Sequence, residues 1–166
     1  MRYVWIFLIS TFLPLYAKPD TTQHGQTKTR MAVVPFKNNT GSKQFEVITA
    51  GIAESITTVL SGSGKFDFIE RLQVDKALSE QDFQMTDLVD PKTVQSMGAI
   101  LGVEYIIIGD LQKIGTRFRI NARRMRVSDG KLAESASASG EEDDLFDMQD
   151  EVAEKLIEQF EQSNEK

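Results

Sequence analysis

The chain contains no cysteine. That excludes disulfides, zinc–thiolate centres and thiol nucleophiles, and it excludes the acylated cysteine that anchors a bacterial lipoprotein. Histidine is almost as scarce, since the single one, His24, lies in a polar stretch near the amino terminus. A Ser-His-Asp triad needs an imidazole held rigidly as base, and a stretch without apolar periodicity cannot hold one. Positive charge is also short. With 19 Lys and Arg against 25 Asp and Glu, the formal net charge is −6. That balance argues against nucleic acid as a partner, because phosphate binding is driven by Lys and Arg. Long apolar runs are missing too. The best, Tyr3 to Tyr16, falls short of the ~20 residues a spanning helix needs.

That same short run reads as a secretory signal peptide. Arg2 gives a positive start, Val4 to Leu13 an apolar core, Pro14 a break and Ala17 a small residue for cleavage. Leu15 is bulky for its place three residues before the cut, so an uncleaved inner-membrane tether is the alternative. The expected organisation is a signal peptide at 1–17, a flexible leader at 18–30 and one domain at 31–162. The leader is rich in Thr and Gln and lacks apolar periodicity. About 130 residues remain for the domain, enough for one ordinary core. There is no internal repeat and no second domain.

Within the domain, apolar periodicity alternates between strand and helix. Met31 to Phe36 reads as a strand buried on both faces, followed by an Asn-Asn-Thr-Gly-Ser loop at 38–42. Phe45, Ile48, Ile52, Ile56, Val59 and Leu60 recur at three and four residues and predict an amphipathic helix, stopped by Ser61 to Gly64. Phe66 to Ile69 predicts a second strand and Gln73 to Gln81 a short helix. Asp90-Pro91 opens a further helix that Gly102 closes. Strand–helix–strand–helix–strand predicts crossover connections and partly parallel pairing. Turn signals at Ile114-Gly115-Thr116 and Ser128-Asp129-Gly130 then predict an antiparallel meander of Glu104–Gln112, Arg117–Val127 and Lys131–Gly140. In its middle strand the apolar set changes parity between Ala122 and Met125, which a β-bulge near Arg123-Arg124 would reconcile. A closing helix follows, with Glu141 to Asp144 at its positive end and Leu145, Met148, Val152, Leu156 and Phe160 as its stripe. The fold class expected is α/β, with a single mixed sheet, helical crossovers, a carboxy-terminal meander and a closing helix.

Chemistry is sparse along this framework. Ser61 to Phe66 has the look of a phosphate-binding loop, but Val59 stands where that pattern needs its first glycine, and Phe66 where it needs Ser or Thr. It also joins a helix to a strand, the reverse of a phosphate loop. Asp143, Asp144 and Asp147 lack the spacing of an EF-hand loop and read as acids complementing a helix dipole. Glu70, Glu80 and Glu104 are carboxylates that a glycosidase mechanism could use if two met in a cleft. No catalytic, cofactor or metal residues are assigned. The feature that stands out is basic: Arg117, Arg119 and Arg123 share one face of the middle strand, and the proposed bulge would add Arg126. Such a stripe is either a solvated sheet face or a contact for an acidic partner or anionic envelope surface.

Five segments in order resemble the curli-secretion (CsgG) family and the related TolB amino-terminal and FlgO-like flagellar domains. They are Ala32 to Phe36, Phe68 to Arg71 with Leu78 to Gln81, Gly98 to Gly109, Phe118 to Arg123 with Val127 to Gly130, and Asp144 to Ala153. The resemblance implies a periplasmic α/β domain serving envelope assembly through protein partners, without catalytic residues or cofactors. Outer-membrane association and a homo-oligomer are both compatible with it. Curli channel subunits carry a lipidated cysteine and barrel-forming hairpins. This chain has no cysteine, and its connections are too short for membrane strands of about 9–11 residues each. The leading functional expectation is therefore a non-enzymatic periplasmic accessory protein that binds envelope proteins in outer-membrane, secretion or flagellar assembly. A ligand-sensing domain of the TolB amino-terminal kind and a carboxylate hydrolase are the alternatives.

Overall fold

A computed structural model describes residues 28–80 and 90–164. The signal-peptide expectation lies outside the described residues, as does most of the leader. Strand β1 spans Thr29–Val33, so regular structure begins two residues earlier than the apolar run suggested.

After β1 the chain turns through Pro35 and forms a short strand, β2 (Lys37–Asn39). This segment was expected to be a loop. It pairs because the later strand β4 (Tyr105–Ile114) is longer than β1. Strand β1 occupies Tyr105 to Ile107, and β2 continues the same parallel edge at Asp110 to Gln112, so backbone groups that would stand unpaired are satisfied. Helix α1 (Glu46–Gly62) follows, and buries Ile52, Ala53, Ile56 and Leu60. A left-handed Gly64 then turns the chain into β3 (Phe66–Phe68). The loop at Ser61 to Phe66 is thus a helix-to-strand connection, as its context predicted. Helix α2 (Arg71–Glu80) and helix α3 (Pro91–Leu101) come next. Asp90 caps α3 by accepting from the Lys92 amide at 2.7 Å, Pro91 occupies its first turn, and left-handed Gly102 closes it.

Strand β4 opens the meander, continued by β5 (Arg117–Arg126) and β6 (Leu132–Gly140). The closing helix α4 spans Leu145–Asn164 behind a 3-10 turn at Glu142–Asp144. Among the described residues the result is one open mixed sheet of six strands with four α-helices. Its order is β3-β1-β4-β5-β6 with β2 beside β4, parallel on the left and antiparallel on the right.

Each face of the sheet has its own core. Helices α1 and α4 cover the first face, burying Met31, Val33, Ile107, Leu111, Phe118, Ile120 and Leu156. Helices α2 and α3 cover the second, over Ala32, Val34, Val94, Met97, Ile106, Ile108 and Met125. This resolves the parity change in β5 without a bulge in that strand. Phe118, Ile120 and Ala122 face α1 and α4, while Met125 faces α2 and α3. The pairing of β5 with β4 runs unbroken from Arg117 to Arg126. A register irregularity does fall at Arg124/Met125, but toward β6, where Ala133 is the extra residue.

Candidate functional site

The second face of the sheet is covered only in part. Its core ends at Ile108 on β4 and Met125 on β5. Beyond those residues the same alternation continues with polar side chains: Asp110 and Gln112 on β4, Arg123, Asn121, Arg119 and Arg117 on β5, and Ser135, Ser137 and Ser139 on β6. Register places Gln112 opposite Arg119, and Arg119 opposite Ser139. Helices α2 and α3 have ten and eleven residues, or about 15 Å each at the rise of an α-helix. Helix α2 packs against β1, and α3 against the first part of β4 and the end of β5, so among the described residues the outer half of the meander is left open on this face.

On that open half the Arg119 Nε donates to the Ser139 hydroxyl at 2.9 Å, and the Asn121 amide donates to Asp110 at 3.1 Å. Among the described residues no carboxylate lies within ion-pair distance of Arg117, Arg119 or Arg123. Arg117 and Arg119 are exposed and Arg123 is half-buried. At the hairpin end stands Ile114, 82% exposed, opposite Arg117. Gln112, Ile114, Arg117, Arg119 and Ser139 line a shallow hollow there.

Arg126 does not belong to this stripe. With no bulge on the β4 side, it falls on the opposite face, opposite Tyr105. A hydrogen bond with the Tyr105 side chain, and then the charge of Asp129, raise its pKa above the usual arginine value. Arg124 lies on that same face but is buried. Its guanidinium is paired with Glu134 and stacked between the Tyr105 and Phe160 rings, 4.3 and 4.4 Å from their centroids. The hydroxyl of Ser163 donates to the same Glu134 carboxylate.

Sequence reasoning missed Asp110, Gln112, Asn121 and the serines as companions of the arginines. A signal for them existed in β6, where Ser135, Ser137 and Ser139 alternate with buried Ala136 and Ala138. The other candidates resolve into local roles. Asp144 accepts from the Glu141 amide in a capping box. Glu104 accepts from the Arg30 amide. Glu70 and Glu80 flank α2 at opposite ends, about 15 Å apart along its axis.

The model of the family described as curli production assembly/transport component CsgG matches residues 16–125, about two thirds of the chain. No curated protein sequence matches significantly. Among solved structures, the lipoprotein GNA1162 from Neisseria meningitidis superposes with a TM-score of 0.58 at 20% identity, covering 69% of this chain and 81% of that one. A PelC dodecamer from Paraburkholderia phytofirmans gives 0.51 at 14% identity, covering 80% and 87%. TolB from Acinetobacter baumannii gives 0.53 at 14%, covering 80% of this chain but 28% of its own. At these identities the likeness is one of fold. By the extent of the family match, with the fold in agreement, the chain belongs to the CsgG family.

Proposed function

We propose that this chain is an exported, non-enzymatic accessory protein of the cell envelope that binds other envelope proteins in outer-membrane, secretion or flagellar assembly. The supporting observation is the open half of the sheet. Among the described residues, two helices bury one half of the second face and nothing covers the other half, whose arginine guanidinium groups have no carboxylate within ion-pair distance. Exposed cations without intramolecular partners contribute little to stability, and they attract acidic partners and select among them. The family description, an assembly and transport component, agrees with a binding role. No helix among the described residues is long and apolar enough to cross a membrane.

The test is site-specific photocrosslinking from the Asn121 position in living cells, followed by fractionation. A defined envelope protein, lost when Arg117, Arg119 and Arg123 are changed to Glu, is the expected product. A crosslink pattern unaffected by that triple change would overturn the assignment of the open face. Mass spectrometry of the mature amino terminus, expected to begin at Lys18, tests export and cleavage together.

A further inference from the structure

Strand β6 forms the long free edge of the sheet. Among the described residues its one neighbour is β5, and no strand lies beyond it. It has nine residues, against three for β3 at the other edge. In an antiparallel pair, alternate residues turn both their backbone N–H and C=O away from the partner strand. On β6 the outward set is Ser135, Ser137 and Ser139, and two contacts from α4 identify it. The Gln159 side-chain amide donates to the Ser135 carbonyl at 3.0 Å, and the Lys155 ammonium donates to the Ser137 carbonyl at 2.9 Å. Such side-chain caps blunt an edge against indiscriminate pairing. A backbone N–H from an incoming strand can take the place of each.

The open face leans toward the same edge. The three serines are exposed, and their short side chains let an arginine of β5 lie across β6. Arg119 does so, since its Nε donates to the Ser139 hydroxyl at 2.9 Å. Its guanidinium therefore stands over β6, about one strand spacing (~4.8 Å) from where a further strand would run. Register sets Arg123 opposite Ser135 in the same relation, with Asn121 opposite Ser137 between the two arginines. We propose that an extended acidic segment of another envelope protein adds to β6 as a further strand, with carboxylates four residues apart facing Arg119 and Arg123. The proposal rests on the open face being a protein-docking surface, and it names the form of the partner. The segment's backbone pairs with Ser135, Ser137 and Ser139 and displaces the Lys155 and Gln159 caps. Main-chain pairing supplies affinity, and alternate side chains supply selectivity. Carboxylates placed opposite Ser139 and Ser135 are about 13 Å apart along the strand, as Arg119 and Arg123 are. An acidic helix laid on the face would use the same arginines but leave the edge amides free, so the two modes are separable.

The probe is a fluorescent synthetic peptide as long as β6, built of β-branched residues with two glutamates four apart, and the readout is anisotropy on the purified chain. Binding should be saturable at low salt. It should weaken at least about tenfold when the glutamates become glutamine, or when Arg119→Glu and Arg123→Glu are introduced together. Ser137→Pro removes an outward N–H without breaking a bond to β5, a place where an edge strand accepts proline. It should abolish binding and leave the circular dichroism spectrum unchanged. Lys155→Ala with Gln159→Ala uncovers the two carbonyls and should tighten binding severalfold. Amide hydrogen exchange at Ser135, Ser137 and Ser139 should slow when the peptide is bound. A peptide that does not bind at low salt, or one whose binding ignores the proline, overturns the proposal. Should the proline variant misfold, unprotected serine amides and an unchanged affinity in the α4 variant overturn it equally. A dimer of the chain alone that Ser137→Pro abolishes would give the edge to a second copy and overturn the acidic occupant. In cells, a crosslink from the Asn121 position that is lost in the triple arginine change but kept in Ser137→Pro removes strand addition alone, and the open face still docks a protein. A crosslink indifferent to both changes removes the docking reading as well.

Discussion

Strand β5 holds two kinds of arginine within ten residues. At one end Arg124 is 3% exposed, stacked between two aromatic rings and paired with Glu134 on the neighbouring strand. At the other, Arg117 and Arg119 lie open to solvent with no carboxylate within ion-pair reach among the described residues. The sequence context is the same, a basic residue in an alternating strand. What differs is what lies above each face. Arg124 faces the layer of α1 and α4, where water is excluded. Arg117, Arg119 and Arg123 face the half of the sheet that α2 and α3 do not reach. A buried charge must be paired to be tolerated, while an exposed one is available to other molecules. The comparison therefore separates an arginine that is locked into the fold from arginines that the described residues leave without ion pairs.

The sharpest way to break this distinction is to remove the partner of Arg124. Changing Glu134→Gln leaves a guanidinium buried without its counter-charge, while Nη1 of Arg124 already lacks a hydrogen-bond partner among the described residues. Breaking a buried pair from one side costs about 3–5 kcal/mol. Urea unfolding should show a loss of that size. Replacing both partners by apolar residues, Arg124→Met with Glu134→Leu, should recover most of it, because the desolvation of both charges disappears together. If the single change proves neutral, the pair is not the lock that the geometry indicates.

A smaller effect distinguishes the two hairpin turns. At the closed end Gly130 has φ of +66°, and a Cβ there would overlap the backbone of Pro91 at the start of α3. At the open end Gly115 has φ of +62° with nothing near it. Gly115→Ala should cost only the left-handed backbone penalty, about 1–2 kcal/mol. Gly130→Ala adds an overpacking penalty of about 1 kcal/mol or more, so its unfolding midpoint should fall further. Equal losses would mean that α3 yields to the turn, and that the closed end is less tightly packed than it looks.

Much of this fold was readable from periodicity. The spacing of Phe45 to Leu60 and of Leu145 to Phe160 located α1 and α4. Asp90, Pro91 and Gly102 marked both ends of α3, and glycine-containing turns marked the meander. What failed was long-range. Residues Lys37–Asn39 carry turn formers and become a strand only because β4 extends beyond β1. The parity change in β5 looked like a bulge because a single strand does not reveal that its two faces meet different helices. That misreading moved Arg126 onto the wrong side. The same limit hid Asp110 and the β6 serines, since cross-strand neighbours depend on register, which no local pattern states. The arginine trio was legible because it needed only the alternation of one strand.

The smallest expected effect on stability carries the most information about function. Changing Arg117, Arg119 and Arg123 together to Ala removes two exposed cations and one half-buried one, whose side-chain hydrogen bonds among the described residues reduce to one between Arg119 and Ser139. Surface substitutions of this kind usually stay within about 0.5 kcal/mol each. Removing like charges that stand two and four residues apart on one face also relieves repulsion. Thermal unfolding should therefore be nearly unchanged, or shifted slightly upward, while every association that uses the open face is lost and its salt dependence disappears with it. A clear drop in stability would show that the trio belongs with Arg124 among the residues that hold the fold. An unchanged fold with abolished association would place the boundary between structure and function within β5, between Arg123 and Arg124.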